Sequence, residues 1–398
     1  MGMFRKRRIY LDYASAPPVL PEALRAMREA EHLIGNPGAI HEEGVAMRAK
    51  LEDARARIAA LLGIKAREIV FTSGLTESNN LAILGFARKL LLSGGNLDDT
   101  HWIVSAIEHD SVLECFAEIE RLGGSVSHAN PDMYGSIKPQ EIVRLLRKET
   151  VLVSVGWANN EIGTIQPLTK IAHILRAYEK EQGTIVALHA DAGQAPLYLP
   201  TIVNSLGVDL LSFGANKLYG PHGIGALYIG SRMLAGGIAP IIMGGAQEKG
   251  IRAGTESVTL AAGFAAAFEV VARERDAEAK RLSELRDTLV RELSAGIPDL
   301  VINGDLKHAL PHMLNISIPN ISSEYIVLAL DREGIAISTK SACREGEQAS
   351  HVVAELGGES WRAKNTLRFS LGKETAQSDV ERTAQALRQT VVDFQTRS

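Results

Sequence analysis

Between Ile69 and Ile229 the chain alternates short β-rich runs with amphipathic helical segments, and this constrains its fold more than any other feature. The runs are 69–72, 102–105, 125–129, 151–156, 184–189, 210–213 and 224–229. They are apolar on both faces, which predicts an α/β fold with a mainly parallel sheet covered by helices on each side. A single core stops growing near ~250–300 residues, so a chain of 398 needs a second lobe. Helical spacing at Pro21–Ile34 and Glu42–Leu62 precedes the alternation, with Gly35-Asn36-Pro37-Gly38 as a breaker. A long helical stretch from Ser257 to about Gly296 reads as a bridge between lobes. Runs 313–318, 335–338 and 367–370, interleaved with helices at 324–333 and 379–394, then predict a smaller α+β domain. We expect residues 16–256 to form the large domain, and residues 1–15 with 257–398 the small one, including the connecting helix.

Charge and cysteine content narrow the class. A net charge of −4 gives no reason to expect direct nucleic-acid binding. No apolar run reaches 18 residues, and the basic start has no apolar stretch or cleavage site behind it, so no membrane partner and a cytoplasmic location are expected. The two cysteines, Cys115 and Cys343, are too few for a disulfide framework.

Three constellations could carry chemistry. At Phe71-Thr72-Ser73-Gly74-Leu75-Thr76-Glu77-Ser78-Asn79-Asn80 a strand ends in a glycine turn and a helix begins. Free amides there, with the Thr76 hydroxyl, would suit a phosphate; a plain capping box is the alternative. Asp191, in Leu188-His189-Ala190-Asp191-Ala192-Gly193-Gln194, stands at a strand's carboxyl end and could pair with a protonated pyridine nitrogen or simply cap a helix. Lys217 lies among Gly and aromatic neighbours, a setting that suits a Schiff-base amine, although a single loop lysine is often only surface charge. Anion cradle, aspartate and lysine are together what a pyridoxal cofactor requires. Neither G-x-G-x-x-G after a strand nor a Walker-type loop occurs.

Ten short motifs then fall in one order: Tyr10-Leu11-Asp12-Tyr13, Asn36-Pro37, Phe71 to Ser78, Glu108-His109, Asn159-Asn160-Glu161-Ile162-Gly163, Asp191 to Gln194, Lys217-Leu218-Tyr219-Gly220-Pro221, Arg252-Ala253-Gly254-Thr255, Ser341-Ala342-Cys343 and Leu367 to Gly372. In these the chain resembles the cysteine desulfurases, pyridoxal 5'-phosphate (PLP) enzymes of the class V aminotransferase family and fold type I. The resemblance implies a PLP-dependent transferase fold, with a large PLP-binding domain built on a seven-stranded sheet. It implies that Lys217 holds PLP and moves the Cα proton, that Asp191 keeps the ring nitrogen charged, and that Gln194 donates to the phenolic oxygen. His109 would stack on the ring and serve as acid or base, against the plainer reading of a core histidine. Gly74, Leu75 and Thr76 would cradle the phosphate. Asn160 and Arg368 would hold the substrate carboxylate, and Thr255 would reach the phosphate of a partner subunit in a homodimer with a shared active site. Cys343, flanked by basic Lys340 and Arg344, would take sulfur from L-cysteine as a persulfide, release alanine, and pass the sulfur to an acceptor such as an iron–sulfur scaffold or a tRNA-thiolation protein. Cys115 sits among Val112, Leu113, Phe116 and Ile119 at helical spacing and is expected in the core.

Departures fall inside the site. Where the family reads Ser-x-His-Lys, this chain has Gly214, Ala215, Asn216 and Lys217; Asn216 keeps one donor. Lys340 replaces a glycine before the nucleophile. Other readings are an aminotransferase, a selenocysteine lyase or a kynureninase-like enzyme, none of which requires Cys343. A non-catalytic scaffold in sulfur relay is another, as is a metal hydrolase using His189, Asp191 and His109.

Overall fold

The computed structural model describes residues 7–234, 236–339 and 349–396. Seven strands form one sheet in the order Ile69–Thr72, Gly225–Ile229, Leu210–Gly214, Ala187–Asp191, Thr150–Ser154, His101–Ser105 and Ser125–Ala129. The last five pair in parallel, and Gly225–Ile229 runs antiparallel to both its neighbours. Period-two alternation divides the sheet between two cores. Val153, Leu188 and Leu211 join one cluster with Phe264 and Phe268, whereas Leu152, Ala187 and Leu210 join another with Trp102, Phe86 and Phe116. Both faces are therefore dry over most of the sheet, which is why its inner strands read as apolar runs, while the edge strand Ser125–Ala129 is partly exposed.

The bridge is a helix spanning Val258–Gly296, ~58 Å long at 1.5 Å per residue. Its first half buries Phe264 and Phe268 and packs on helices Pro21–Glu31 and Glu42–Leu62; further along, Leu282, Leu285, Leu289 and Leu293 are buried, and the helix also packs on Gln377–Gln395. Helix Glu42–Leu62 ends where expected because Gly63 takes the left-handed conformation (φ 67°) that closes it.

A second, antiparallel sheet has the order Thr366–Ser370, Met313–Ser317, Val301–Ile302. Ile9–Tyr10 pairs in parallel with Ile335–Ala336, tying the start of the chain to its C-terminal part. Neither two-residue strand Ile9–Tyr10 nor Val301–Ile302 was expected from the sequence, because such short segments carry no periodicity. The run expected at 184–189 begins at Ala187 and extends to Asp191. Gly183 closes the preceding helix, residues 184–186 lead from it without pairing, and Asp191 falls on the strand's last position.

Candidate active site

Beyond the carboxyl ends of the parallel strands lies a cavity of about 390 Å³, where open α/β sheets place ligands. Gly74, Leu75, Thr76, His109, Asn160, Asp191, Gln194, Asn216, Lys217 and Arg368 all contribute to its wall. Thr255 does not: it lines a neighbouring cavity of about 170 Å³ that shares Ser73, Gly223 and Ile224. Cys343 and Lys340 lie outside the described residues.

Helix Leu75–Leu92 starts at this cavity with no side-chain cap at Gly74. Glu77 reaches back past the cap to accept from the Ser73 N–H at 2.7 Å, so no capping box forms and the first helical amides are left at the cavity end. Gly74 has φ 156° with ψ 179°, and the main chain of Gly225 passes so close that a Cβ there would stand 2.6 Å from the Gly74 carbonyl carbon. Only glycine permits that contact. At Gly214 a Cβ would stand 3.0 Å from Asn216 Oδ1 and 3.1 Å from Leu75 Cβ, so Gly214, Asn216 and Leu75 fit as a set and a serine at 214 would crowd it.

Asp191 accepts from Asn79 Nδ2 at 2.7 Å and from the Gly193 N–H at 2.8 Å. His109 caps helix Asp110–Arg121, its Nδ1 accepting from the Ser111 N–H at 3.1 Å. Lys217 follows strand Leu210–Gly214 in a tight turn that Tyr219 completes with φ 58°. Its ammonium donates to the carbonyls of Ala14 and Ser15 at 2.8 and 2.7 Å. Gln194 spends Nε2 on the Ala14 carbonyl and buries Oε1 without a partner.

Arg368 comes from the small sheet and is 2 % exposed. Its fork donates to Asp12 Oδ1 at 2.8 Å, Ser15 Oγ at 2.7 Å and the Asn160 carbonyl at 2.9 Å. Asp12 belongs to a recognised motif, yet its partnership with Arg368 was not foreseen. Beside Asp191 stands Glu108, buried, one carboxyl oxygen accepting from the Gly156 N–H at 2.7 Å. Burial first, and the nearby Asp191 charge, push its pKa up to about 8 despite that bond. The shift favours the protonated acid, and nothing in the Glu108-His109 pair signalled it.

His189 cannot serve as a metal ligand as it stands. Its ring nitrogens bond Ser154 Oγ at 2.8 Å and Ser212 Oγ at 3.0 Å inside the sheet, and burial lowers its pKa to about 3. Among the described residues no group of three or more His, Cys, Asp or Glu side chains could hold a metal ion. Cys115 is 2 % exposed, and burial raises its thiol to about 12, the core position expected for it.

A pyridoxal phosphate fits these residues: an uncapped helix start for the phosphate, an aspartate for the ring nitrogen, and a lysine amine on the same wall. The aminotransferase class-V family model matches residues 9–383, and the chain belongs to that family. A curated relative from Dictyoglomus turgidum, "Cysteine desulfurase IscS", is 40 % identical over 98 % of this chain and 96 % of its own length. The human "Cysteine desulfurase" is 35 % identical over 95 % of this chain and 80 % of its own. A solved "NifS-like protein" superposes with a TM-score of 0.88 at 32 % identity, covering 98 % of this chain and 100 % of the other.

Proposed function

We propose that this protein is a PLP-dependent cysteine desulfurase that converts L-cysteine to L-alanine and passes the sulfur, through a persulfide on Cys343, to an acceptor protein. The observation that carries this reading is the meeting of Lys217, Asp191, His109 and Arg368 around one cavity, in a chain matched almost end to end by cysteine desulfurases. A structure described as "SspA in complex with cysteine", 32 % identical with a TM-score of 0.78 over 91 % of this chain and 98 % of the other, supports the substrate.

Bound here, PLP supplies an electron sink for the charge left when a Cα proton departs. The amides from Gly74 to Thr76 and the Asn216 side chain would hold its phosphate, Asp191 would hold the protonated ring nitrogen, and Gln194 lines the same cavity. Arg368 with Asn160 binds the substrate carboxylate as a charged fork. Lys217 takes the Cα proton on Nζ, and His109 presents Nε2 to the cavity. The Cys343 thiolate attacks the substrate sulfur; an S–S bond forms, and the C–S bond breaks with its electron pair going to carbon. That carbon takes up a proton and becomes the methyl group of alanine.

Two copies complete the site in this reading. Thr255 lies off its own chain's cavity, and Ile34, Ile40 and Met243 are exposed apolar side chains of the kind a homodimer covers. Residues 16–256 form the PLP-binding domain, supported by the inclusion of all seven strands of the large sheet. Residues 1–15 and 257–398 form the small domain. A cytoplasmic location agrees with a buried free cysteine, and among the described residues no helix is long and apolar enough to cross a membrane.

The test is alanine and sulfide release from L-cysteine by wild type, Lys217→Ala and Cys343→Ala, with absorbance recording bound PLP. Wild type should be yellow and active, Lys217→Ala inactive, and Cys343→Ala coloured without forming persulfide. A colourless wild type would refute the cofactor assignment, and full sulfide release by Cys343→Ala would remove the persulfide route.

A further inference from the structure

Between Asp191 and His109 stand two side chains to which the reaction as proposed gives no part. Asn79 Nδ2 donates to Asp191 Oδ2 at 2.7 Å and to Ser111 Oγ at 2.9 Å, which uses both of its protons. Ser111 Oγ lies 2.9 Å from His109 Nδ1. The Ser111 backbone N–H also points at Nδ1, at 3.1 Å, and a backbone N–H can only donate. Nδ1 is therefore the acceptor, the Ser111 hydroxyl turns its proton towards it, and the ring proton resides on Nε2. The Asn79 amide is held in this sense although its Oδ1 is buried without a partner. Flipping it would set that oxygen against the Asp191 carboxylate and leave Ser111 without a donor, so the two N–H bonds decide the orientation.

We infer that Asn79 and Ser111 are positioning residues: one continuous hydrogen-bond line from Asp191 through Asn79 and Ser111 fixes the ring orientation and the Nε2–H tautomer of His109. The line is directional. Asn79 donates at both ends, so Asp191 meets only donors and Ser111 keeps its own proton for His109. Neither residue touches the reacting atoms, and each acts through the group it holds. Asn79 lies one residue beyond the Phe71 to Ser78 motif and Ser111 two beyond His109, and nothing in the chain's spacing shows that they meet.

This deepens the proposed function and rests on it for the importance of His109, but its test does not use turnover. Full-length protein with 15N-labelled histidine, with and without PLP, is examined at pH 8, where the chemical shifts of the two ring nitrogens report the tautomer. Wild-type His109 should carry its proton on Nε2 in both states. Ser111→Ala should raise the ratio of the Nδ1–H to the Nε2–H form about 5-fold, the effect of one lost hydrogen bond while the backbone donor remains. Ser111→Thr should restore the wild-type ratio, and Asn79→Leu should shift it in the same direction as Ser111→Ala by a smaller factor. A wild-type proton on Nδ1 would overturn the inference whether or not the variants fold. An unchanged ratio in folded Ser111→Ala would do so as well. Absence of desulfurase activity would count against the proposed function alone.

Discussion

The two walls of the cavity hold their charges by different means. On the large-sheet side, Asp191 is met by neutral donors, Asn79 and the Gly193 N–H, while burial raises the pKa of Glu108 beside it. On the small-sheet side, Arg368 is buried against a full opposite charge, Asp12, and adds Ser15 and the Asn160 carbonyl. The first wall tunes its groups by hydrogen bonding and dehydration. The second pins one cation between segments 356 positions apart in the chain. Disturbing the first should alter binding and pH response; disturbing the second should alter folding.

The largest effect is expected from Arg368→Ala, which leaves Asp12 and the Asn160 carbonyl without their buried partner. Denaturant unfolding should show a loss of ~3–5 kcal/mol, alongside a raised KM for L-cysteine. A loss below ~1 kcal/mol would erase the contrast between the walls. Asp191→Asn comes next: it keeps the shape and removes the charge, and PLP affinity measured by titration should fall ~10–100-fold with little change in stability. Glu108 then supplies a pH signature. Folded, it keeps its proton up to about pH 8, against an ordinary value of 4.5. Between those values the folded state holds a proton that the unfolded chain has released, so stability falls as pH rises, by up to ~1.4 kcal/mol per pH unit from this group. Urea unfolding of Glu108→Gln across pH 5–8 should lack that slope relative to wild type, and an identical slope would show that Glu108 ionises in the fold. The smallest effect belongs to Cys115→Ala, ~1 kcal/mol or less, because one sulfur atom is removed from a well-packed helix face. In a Cys343→Ser background, the buried Cys115 should resist thiol alkylation until the protein unfolds.

The comparison also shows what the chain disclosed before it was folded. Most of the sheet runs were legible as short apolar stretches, Ser125–Ala129 by its place in the strand and helix alternation, and the helix Glu42–Leu62 by its helical spacing. The antiparallel sense of Gly225–Ile229 was not, since strand direction depends on connections and not on composition. Lys217, Asp191 and the Gly74 turn were legible because each needs an unusual local setting that its neighbours encode. Asn79, Ser111 and Glu108 were not, although all three lie in or beside recognised motifs. Their roles arise from partners brought together by the sheet, and a polar residue next to a motif looks the same whether it faces solvent or a buried carboxylate. Thr255 marks a further limit: the loop carrying it is held to helix Glu42–Leu62 by Arg55 paired with Glu248, both oxygens at 2.7 Å, and to helix Leu75–Leu92 by Arg252 on Glu77 at 2.8 Å, which seats it beside the next cavity.

The contact between Gly74 and Gly225 makes the anion cradle a property of the main chain. A cradle made of backbone is set by the path of the chain, and a side chain at 225 would break it whatever donors stand at 214 and 216.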